Sequence, residues 1–284
     1  MADDELVFGD YLLGVLGVAT MRRIAREPSA ALARRTEMRD VLDGIEQMPY
    51  GIRLPFTVHD VEAGYSKWAP QYDAPGNPAI AAEEPLVHSL LADAPRGRAL
   101  DAACGTGRHA AHLAHLGYEV IGVDTTEAML DIARAKIPLG TFHKGRLEAL
   151  PVDDASVDVI TCSLALEHVD DLGPVAHEFA RVLRPGGWLI TSDTHPIMRE
   201  FGVGAFIPRS DGELALDLVR GHVQHVHEYL DAFTHAGLRF GRCVEPRVDG
   251  ATFDSFPSMQ VFPEATRVAL AGLPYLLILQ MQKV

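Results

Sequence analysis

A doubly wound α/β domain, with helices on both faces of a mostly parallel sheet, is the fold class this sequence predicts, and three observations predict it. From Glu83 onward short apolar runs alternate with helically spaced segments, the pattern of repeated βα units. The first run, Arg98 to Ala103, leads through a glycine turn straight into a helix. Asp101 and Asp124 fall at the carboxyl ends of the first two runs, where open parallel sheets bind ligands.

The elements follow in order. Residues 6 to 46 carry helical spacing of apolar positions, broken near Pro28 and ended by Met48-Pro49-Tyr50-Gly51, so two helices and an N-terminal extension over 1–56 are predicted. The apolar stretch Leu6 to Ala19 follows Asp3-Asp4-Glu5, the wrong charge for an export leader, and is too short to span a bilayer. No membrane association is expected. Its Leu12, Leu13, Val15 and Leu16 are more apolar than a free surface helix needs; they pack on the domain or pair with a second subunit, and a homodimer is the expectation. Residues 52 to 80, punctuated by Pro55, Gly64, Pro70, Pro75, Gly76 and Pro78, read as a linker or lid.

The main domain is predicted over 57–284. Its strands are Arg98 to Ala103, Glu119 to Asp124, Thr141 to Lys144, Val157 to Ser163, Trp188 to Asp193, Leu238 to Glu245 and Tyr275 to Gln282. Helices fall at 107–116, 126–136, 172–184 and 224–236. A glycine-bearing stretch near 196–222, with Phe201, Phe206 and Ile207, reads as a substrate-selecting insertion after the fifth strand.

The chain has 284 residues, 48% hydrophobic and 23% charged, within the range of ordinary globular domains. With a formal charge of −14 and no long basic run it lacks the means to track a phosphate backbone, so nucleic acid is excluded as a partner and a small molecule is expected. Cys104, Cys162 and Cys243 are too far apart for a zinc knuckle or disulfide framework, which fits a reducing cytoplasm.

The turn Asp101-Ala-Ala-Cys-Gly-Thr-Gly107 allows a ligand to lie against the main chain near a helix N-terminus. With Ala110 it satisfies the looser dinucleotide pattern G-x-G-x-x-A, so a nicotinamide-dependent oxidoreductase stands as an alternative. Asp101 argues against it: a carboxylate there repels a pyrophosphate but suits the ammonium group of S-adenosylmethionine. Asp124, 17 residues after Gly107, is placed to accept hydrogen bonds from both ribose hydroxyls of either cofactor.

Taken together, ALDAACGTGRHAAHLAHLGYEVIGVDTTEAML, GRLEALPVDDASVDVITCSLALEHVDD, EFARVLRPGGWLITSDTHP and PYLLILQMQ resemble, in that order, the motifs of class I S-adenosylmethionine-dependent methyltransferases, with the type-11 small-molecule group most similar. The resemblance spans roughly residues 60 to 284 and implies a Rossmann-like seven-stranded sheet with an antiparallel last strand. It also implies methyl transfer from S-adenosylmethionine to O, N or C of a small metabolite. A cofactor-binding relative that cyclises or rearranges its substrate without methyl transfer is the alternative within the family. By the resemblance Ala103, Gly105, Thr106 and Gly107 approach the cofactor, Asp124 and Thr125 hold the ribose, Met129 packs on adenine, and Ser163 and Leu164 lie beneath the sulfonium. Tyr65 and Tyr72, seven residues apart in GYSKWAPQYD, resemble the family's lid. The family usually carries Asp after the glycine of its third motif; here Gly145 is followed by Arg146, leaving the backbone N–H of Leu147 to serve the adenine ring.

If the acceptor must lose a proton, histidine suits the task near neutral pH. Among 13 histidines, His195, after the fifth strand, is the leading base candidate, followed by His168, after the fourth, and His225. His109, His112 and His115 drift around their helix with no completing carboxylate, and of His222, His225 and His227 the last two, two residues apart, cannot share a helix face, so no metal site is predicted.

Overall fold

The computed structural model describes residues 5–207, 209 and 215–284, which divide into two compact units. The first comprises residues up to 58 together with 206–218 and 247–273; the second comprises 59–205, 219–246 and 274–284. The predicted boundary after 56 is close to this division, but the N-terminal extension does not stand alone. Its partners come from the middle and the end of the sequence.

In the first unit the helices Phe8–Arg23 and Ala30–Asp43 match the two expected, and Pro28 lies in the break between them. The first also packs on a helix at Pro263–Leu270 that apolar spacing did not announce. Leu12, Val15, Leu16 and Ala19 are buried there, within the chain itself. Arg22 donates to the carbonyls of Ala269 and Ala271 at 2.8 and 2.9 Å, closing the C-terminal end of that helix. Residues 53–59, expected as linker, form a strand in a four-stranded sheet with 5–7, 216–219 and 206–207. Part of the predicted 196–222 insertion lies outside the described residues.

The second unit is the doubly wound domain. Its strands are β1 (Arg98–Ala102), β2 (Glu119–Asp124), β3 (Thr141–Lys144), β4 (Val157–Ser163), β5 (Leu183–Thr194), β6 (Leu238–Val244) and β7 (Leu276–Lys283). Its helices are α1 (Val61–Trp68), α2 (Pro78–Ala92), α3 (Arg108–His115), α4 (Glu127–Lys136), α5 (Leu172–Val182), α6 (Pro196–Glu200) and α7 (Val226–His235). The sheet order is β6-β7-β5-β4-β1-β2-β3, with β7 antiparallel to both neighbours and the other strands parallel to one another, as the sequence predicts.

Strand periodicity builds the two faces. Leu100, Ala102, Ile121, Val123, Ile160 and Cys162 pack beneath α5 and α7 against Phe179, Tyr229 and Phe233. Their alternates Ala99, Val120, Val159 and Ile190 pack against Val87, Leu91 and Leu113 of α2 and α3. The chain order reverses between β1 and its neighbour β4, which opens a crevice at their carboxyl ends.

Candidate functional site

The crevice holds a cavity of about 570 Å³, entirely within the second unit. Its shape begins with backbone strain. Ala103, just after β1, and Leu164, just after β4, take φ of 55° and 53°, left-handed values that side-chain-bearing residues rarely adopt. The Leu164 N–H donates to the Ser192 carbonyl at 2.6 Å, so β5 holds the turn. Both turns carry the chain away from the sheet edge and leave Ala103, Gly105, Ser163 and Leu164 as the cavity floor. Gly105 is left-handed too, and a side chain built on it would meet nothing within 4 Å.

Asp124 lines the cavity beside Thr125 and Met129. Its Oδ2 accepts the Gly105 N–H and its Oδ1 the Thr126 N–H, both at 2.8 Å, which orients the carboxylate while leaving lone pairs free on each oxygen. Burial raises its pKa, and those two N–H groups work against that rise. The opposite wall is the lid. Asp60 caps α1 by accepting the Ala63 N–H at 2.8 Å. Tyr65 and Tyr72 reach the cavity from α1 and the turn after it, braced by Trp68, whose ring stacks on Tyr65 at 5.9 Å and meets Tyr72 edge-on at 5.1 Å. Burial raises both phenols, Tyr72 to about 12. Two ion pairs, Glu62 to Lys144 at 2.6 Å and Asp73 to Lys136 at 2.8 Å, tie the segment to β3 and α4.

His168 also faces the cavity. Its Nδ1 lies 2.6 Å from the Arg220 carbonyl, which can only accept, so the proton sits on Nδ1 and Nε2 is free to accept the Tyr65 hydroxyl at 2.8 Å. Burial lowers the His168 pKa, with the Glu167 carboxylate beside it pulling the other way.

Several predicted site residues stand elsewhere. Asp101 does not line the cavity: its carboxylate accepts the Ala110 N–H at 2.9 Å and the Thr161 hydroxyl at 2.7 Å, capping α3 from below. Thr106 is buried and donates to Asp73 at 2.6 Å. Gly107 is needed for packing, since a Cβ there would come within 2.9 Å of Ile137. His195 accepts the Ile197 N–H at the start of α6 and pairs with Glu245 at 3.1 Å, and His225 caps α7 in a reciprocal box with Glu228. Both histidines are helix caps outside the cavity. Arg146 and Leu147 do line it, but the Arg146 guanidinium pairs with Glu148 at 3.0 Å, so the third-motif position presents a cation already matched by an acid.

The sequence reading missed Asp60, Glu62, Lys144 and Glu148, which form the charged rim of the cavity. An Asp ahead of Val61, with Tyr65 and Trp68 at helical spacing, was a signal for the lid helix.

A family model described as a methyltransferase domain matches residues 100–191, from β1 to β5. A probable S-adenosylmethionine-dependent methyltransferase of Mycolicibacterium smegmatis is 33% identical over 182 residues, covering 60% of this chain and 71% of that protein. The chain belongs to the S-adenosylmethionine-dependent methyltransferases. Within that family it is also 37% identical over 133 residues to the malonyl-[acyl-carrier protein] O-methyltransferase of Yersinia pestis, 46% of this chain and 49% of that one. The chain thus spans about half the length of that relative. Among solved structures, an S-adenosylmethionine-dependent methyltransferase from Mesorhizobium loti superposes with a TM-score of 0.55 at 23% identity, over 71% of this chain and 98% of the other, a likeness of fold.

The cavity fits the family's cofactor on its own terms. An oriented carboxylate at the end of β2 suits a ribose diol, buried Met129 offers an apolar contact, and an open-sided Gly105 allows close backbone approach. Among the described residues no helix is long and apolar enough to cross a membrane.

Proposed function

We propose that this chain transfers a methyl group from S-adenosylmethionine to O, N or C of a small metabolite, with Asp124, Gly105 and Met129 holding the cofactor and His168 receiving the acceptor's proton through Tyr65. The observation that carries this reading is the Tyr65–His168 hydrogen bond in the same cavity as Asp124. Relatives named for malonyl-[acyl-carrier protein] and for demethylmenaquinone support a metabolite acceptor.

Bound S-adenosylmethionine supplies an electrophilic methyl group on a sulfonium. The protein's part is placement, exclusion of water and handling of one proton. Tyr65 and Tyr72, braced by Trp68, form an aromatic wall that would exclude water from a cofactor held in the cavity. Tyr65 takes a hydrogen bond from the acceptor while donating its own proton to His168 Nε2. His168 is placed for this, because its Nδ1–H is anchored on the Arg220 carbonyl and its Nε2 lone pair is left facing Tyr65.

Turnover is read with methyl-labelled S-adenosylmethionine against a panel of small hydroxyl, amine and enol acceptors. His168→Ala is expected to lose about 10²- to 10⁴-fold in turnover, while S-adenosylhomocysteine still raises its melting temperature as in the parent. Full turnover in that variant sinks the role of His168; stabilisation of the parent by NAD and not by S-adenosylhomocysteine sinks the whole reading.

A further inference from the structure

Behind His168 lies a polar layer that the mechanism above does not use. Glu167 and Asp193 are buried at 4% and 1% exposure, with Tyr229 beside them at 2%. Asp193, near the end of β5, accepts the N–H groups of Ala165 and Glu167 on Oδ1 at 3.1 and 3.2 Å, which holds the short turn 166–168 in place. The Tyr229 hydroxyl is directed at the same carboxyl, whereas Glu167 Oε2 and Arg199 Nε have no hydrogen-bond partner although both atoms are out of water. Arg199 stops 3.9 Å short of Glu167, its Nη1 taken by the Val203 carbonyl at 3.1 Å. Polar atoms left unmatched in a dry place are costly.

The one group against this layer whose charge changes in the proposed reaction is His168. Its Nε2 lies 3.8 Å from Glu167 Oε1, and both side chains are 5% exposed, so solvent screens their interaction weakly. The other groups around the imidazole are the Tyr65 phenol on α1, the Arg220 carbonyl, His222 before α7 and Arg199 on α6. The last two are cationic or can become so, and oppose protonation.

We infer that Glu167 is a positioning residue for His168, its carboxylate stabilising the positive charge that the imidazole gains on taking the acceptor's proton. The inference rests on the reading of His168 as the base. The proton leaves the acceptor atom for the Tyr65 oxygen as the Tyr65 proton moves to His168 Nε2. The imidazole gains one positive charge, equal to the one the cofactor sulfur loses with its methyl group. Asp193 has a different part. Burial, with Glu167 next to it, pushes its carboxyl well above the usual range, against the N–H groups of Glu167 and Ala165 and the Tyr229 hydroxyl that it accepts. It therefore acts as a hydrogen-bonding brace for the turn, and Glu167 is the carboxylate that answers the imidazolium.

The test titrates the His168 imidazole by nitrogen-resolved NMR in the full chain saturated with S-adenosylhomocysteine, its signal identified by its loss in His168→Gln. Glu167→Gln is expected to move the midpoint down by about one pH unit, a tenfold change in the acid constant. Asp193→Asn, which keeps an oxygen to accept the Ala165 and Glu167 N–H groups, leaves the midpoint in place. Should Glu167→Gln fail to fold, Glu167→Asp carries the test, since drawing the carboxylate back by one methylene lowers the midpoint by less but in the same direction. An unmoved midpoint in the Glu167 variants, or an equal shift in Asp193→Asn, overturns the inference. Full turnover in His168→Ala alongside a shifted midpoint would instead overturn the base assignment and leave the coupling standing.

Discussion

Two buried glutamates of the second unit stand in opposite circumstances. Glu83 on α2 is fully enclosed, and three donors converge on it: the Arg108 guanidinium at 2.6 Å, His109 Nε2 at 2.9 Å and the Ser192 hydroxyl at 2.8 Å. Glu167 is almost as deep, yet one of its oxygens has no hydrogen bond and its nearest guanidinium is 3.9 Å away. Burial works to raise the Glu83 pKa, and its cations more than reverse this, holding it at about 2. The difference separates two uses of a buried charge. Saturated by donors from α3 and β5, Glu83 joins three elements; under-coordinated behind the cavity, Glu167 leaves one oxygen unbonded beside the proposed base His168.

The contrast can be broken in stability measurements. Glu83→Ala strands Arg108 and His109 without their anion and is expected to lose about 3–5 kcal/mol in denaturant unfolding, the usual consequence of removing one partner of a buried pair. Glu167→Gln removes a poorly compensated charge and is expected to stay within about 1 kcal/mol of the parent. Equal losses would show that both glutamates are structural. The same contrast recurs between two aspartates, Asp124 in the cavity and Asp101 beneath it. Asp124→Ala should weaken S-adenosylhomocysteine binding about 10- to 100-fold by calorimetry, the loss of charge-assisted hydrogen bonds, while Asp101→Asn should leave that affinity within about threefold and lower the melting temperature.

A smaller effect appears with pH around the Glu83 cluster. His88 stacks on His112 at 3.5 Å, and burial first, then the neighbouring His112 and His109, lower its pKa to about 4. The folded chain therefore refuses a proton that the unfolded chain accepts below its ordinary value of 6.5. Its contribution to stability is complete above pH 6.5 and falls as the pH drops towards 4. Melting temperatures across that window should decline in the parent and decline less in His88→Asn; parallel curves would remove His88 from the account.

The sequence made the second unit legible because its signals are local. Each βα unit carries its own strand, turn and helix, and β2, β3 and β4 begin and end where apolar spacing places them. The first unit is assembled from three distant segments, and nothing in Pro263–Leu270 shows that its partner is Phe8–Arg23. Pro55 made 53–59 read as linker, though it pairs with Glu5 inside a sheet. Asp124 and His168 line the cavity, as their places at and after strand ends suggest, whereas His195 and His225, similarly placed, lie outside it. His195 precedes a proline at a helix start, and His225 precedes Glu228 by three residues; both are helix punctuation. Strand parity also pointed Asp101 away from the crevice, since it shares a face with Ala99, towards α3.

Asp101, buried beneath the turn, has a bearing on which ligands the turn admits. A diphosphate bound at a helix N-terminus relies on the unclaimed N–H groups of the first turn. Asp101 has already taken the Ala110 N–H from within, so the start of α3 is partly closed to such an anion before any ligand arrives. A carboxylate outside the cavity thus disfavours the diphosphates that the surrounding glycines alone would admit.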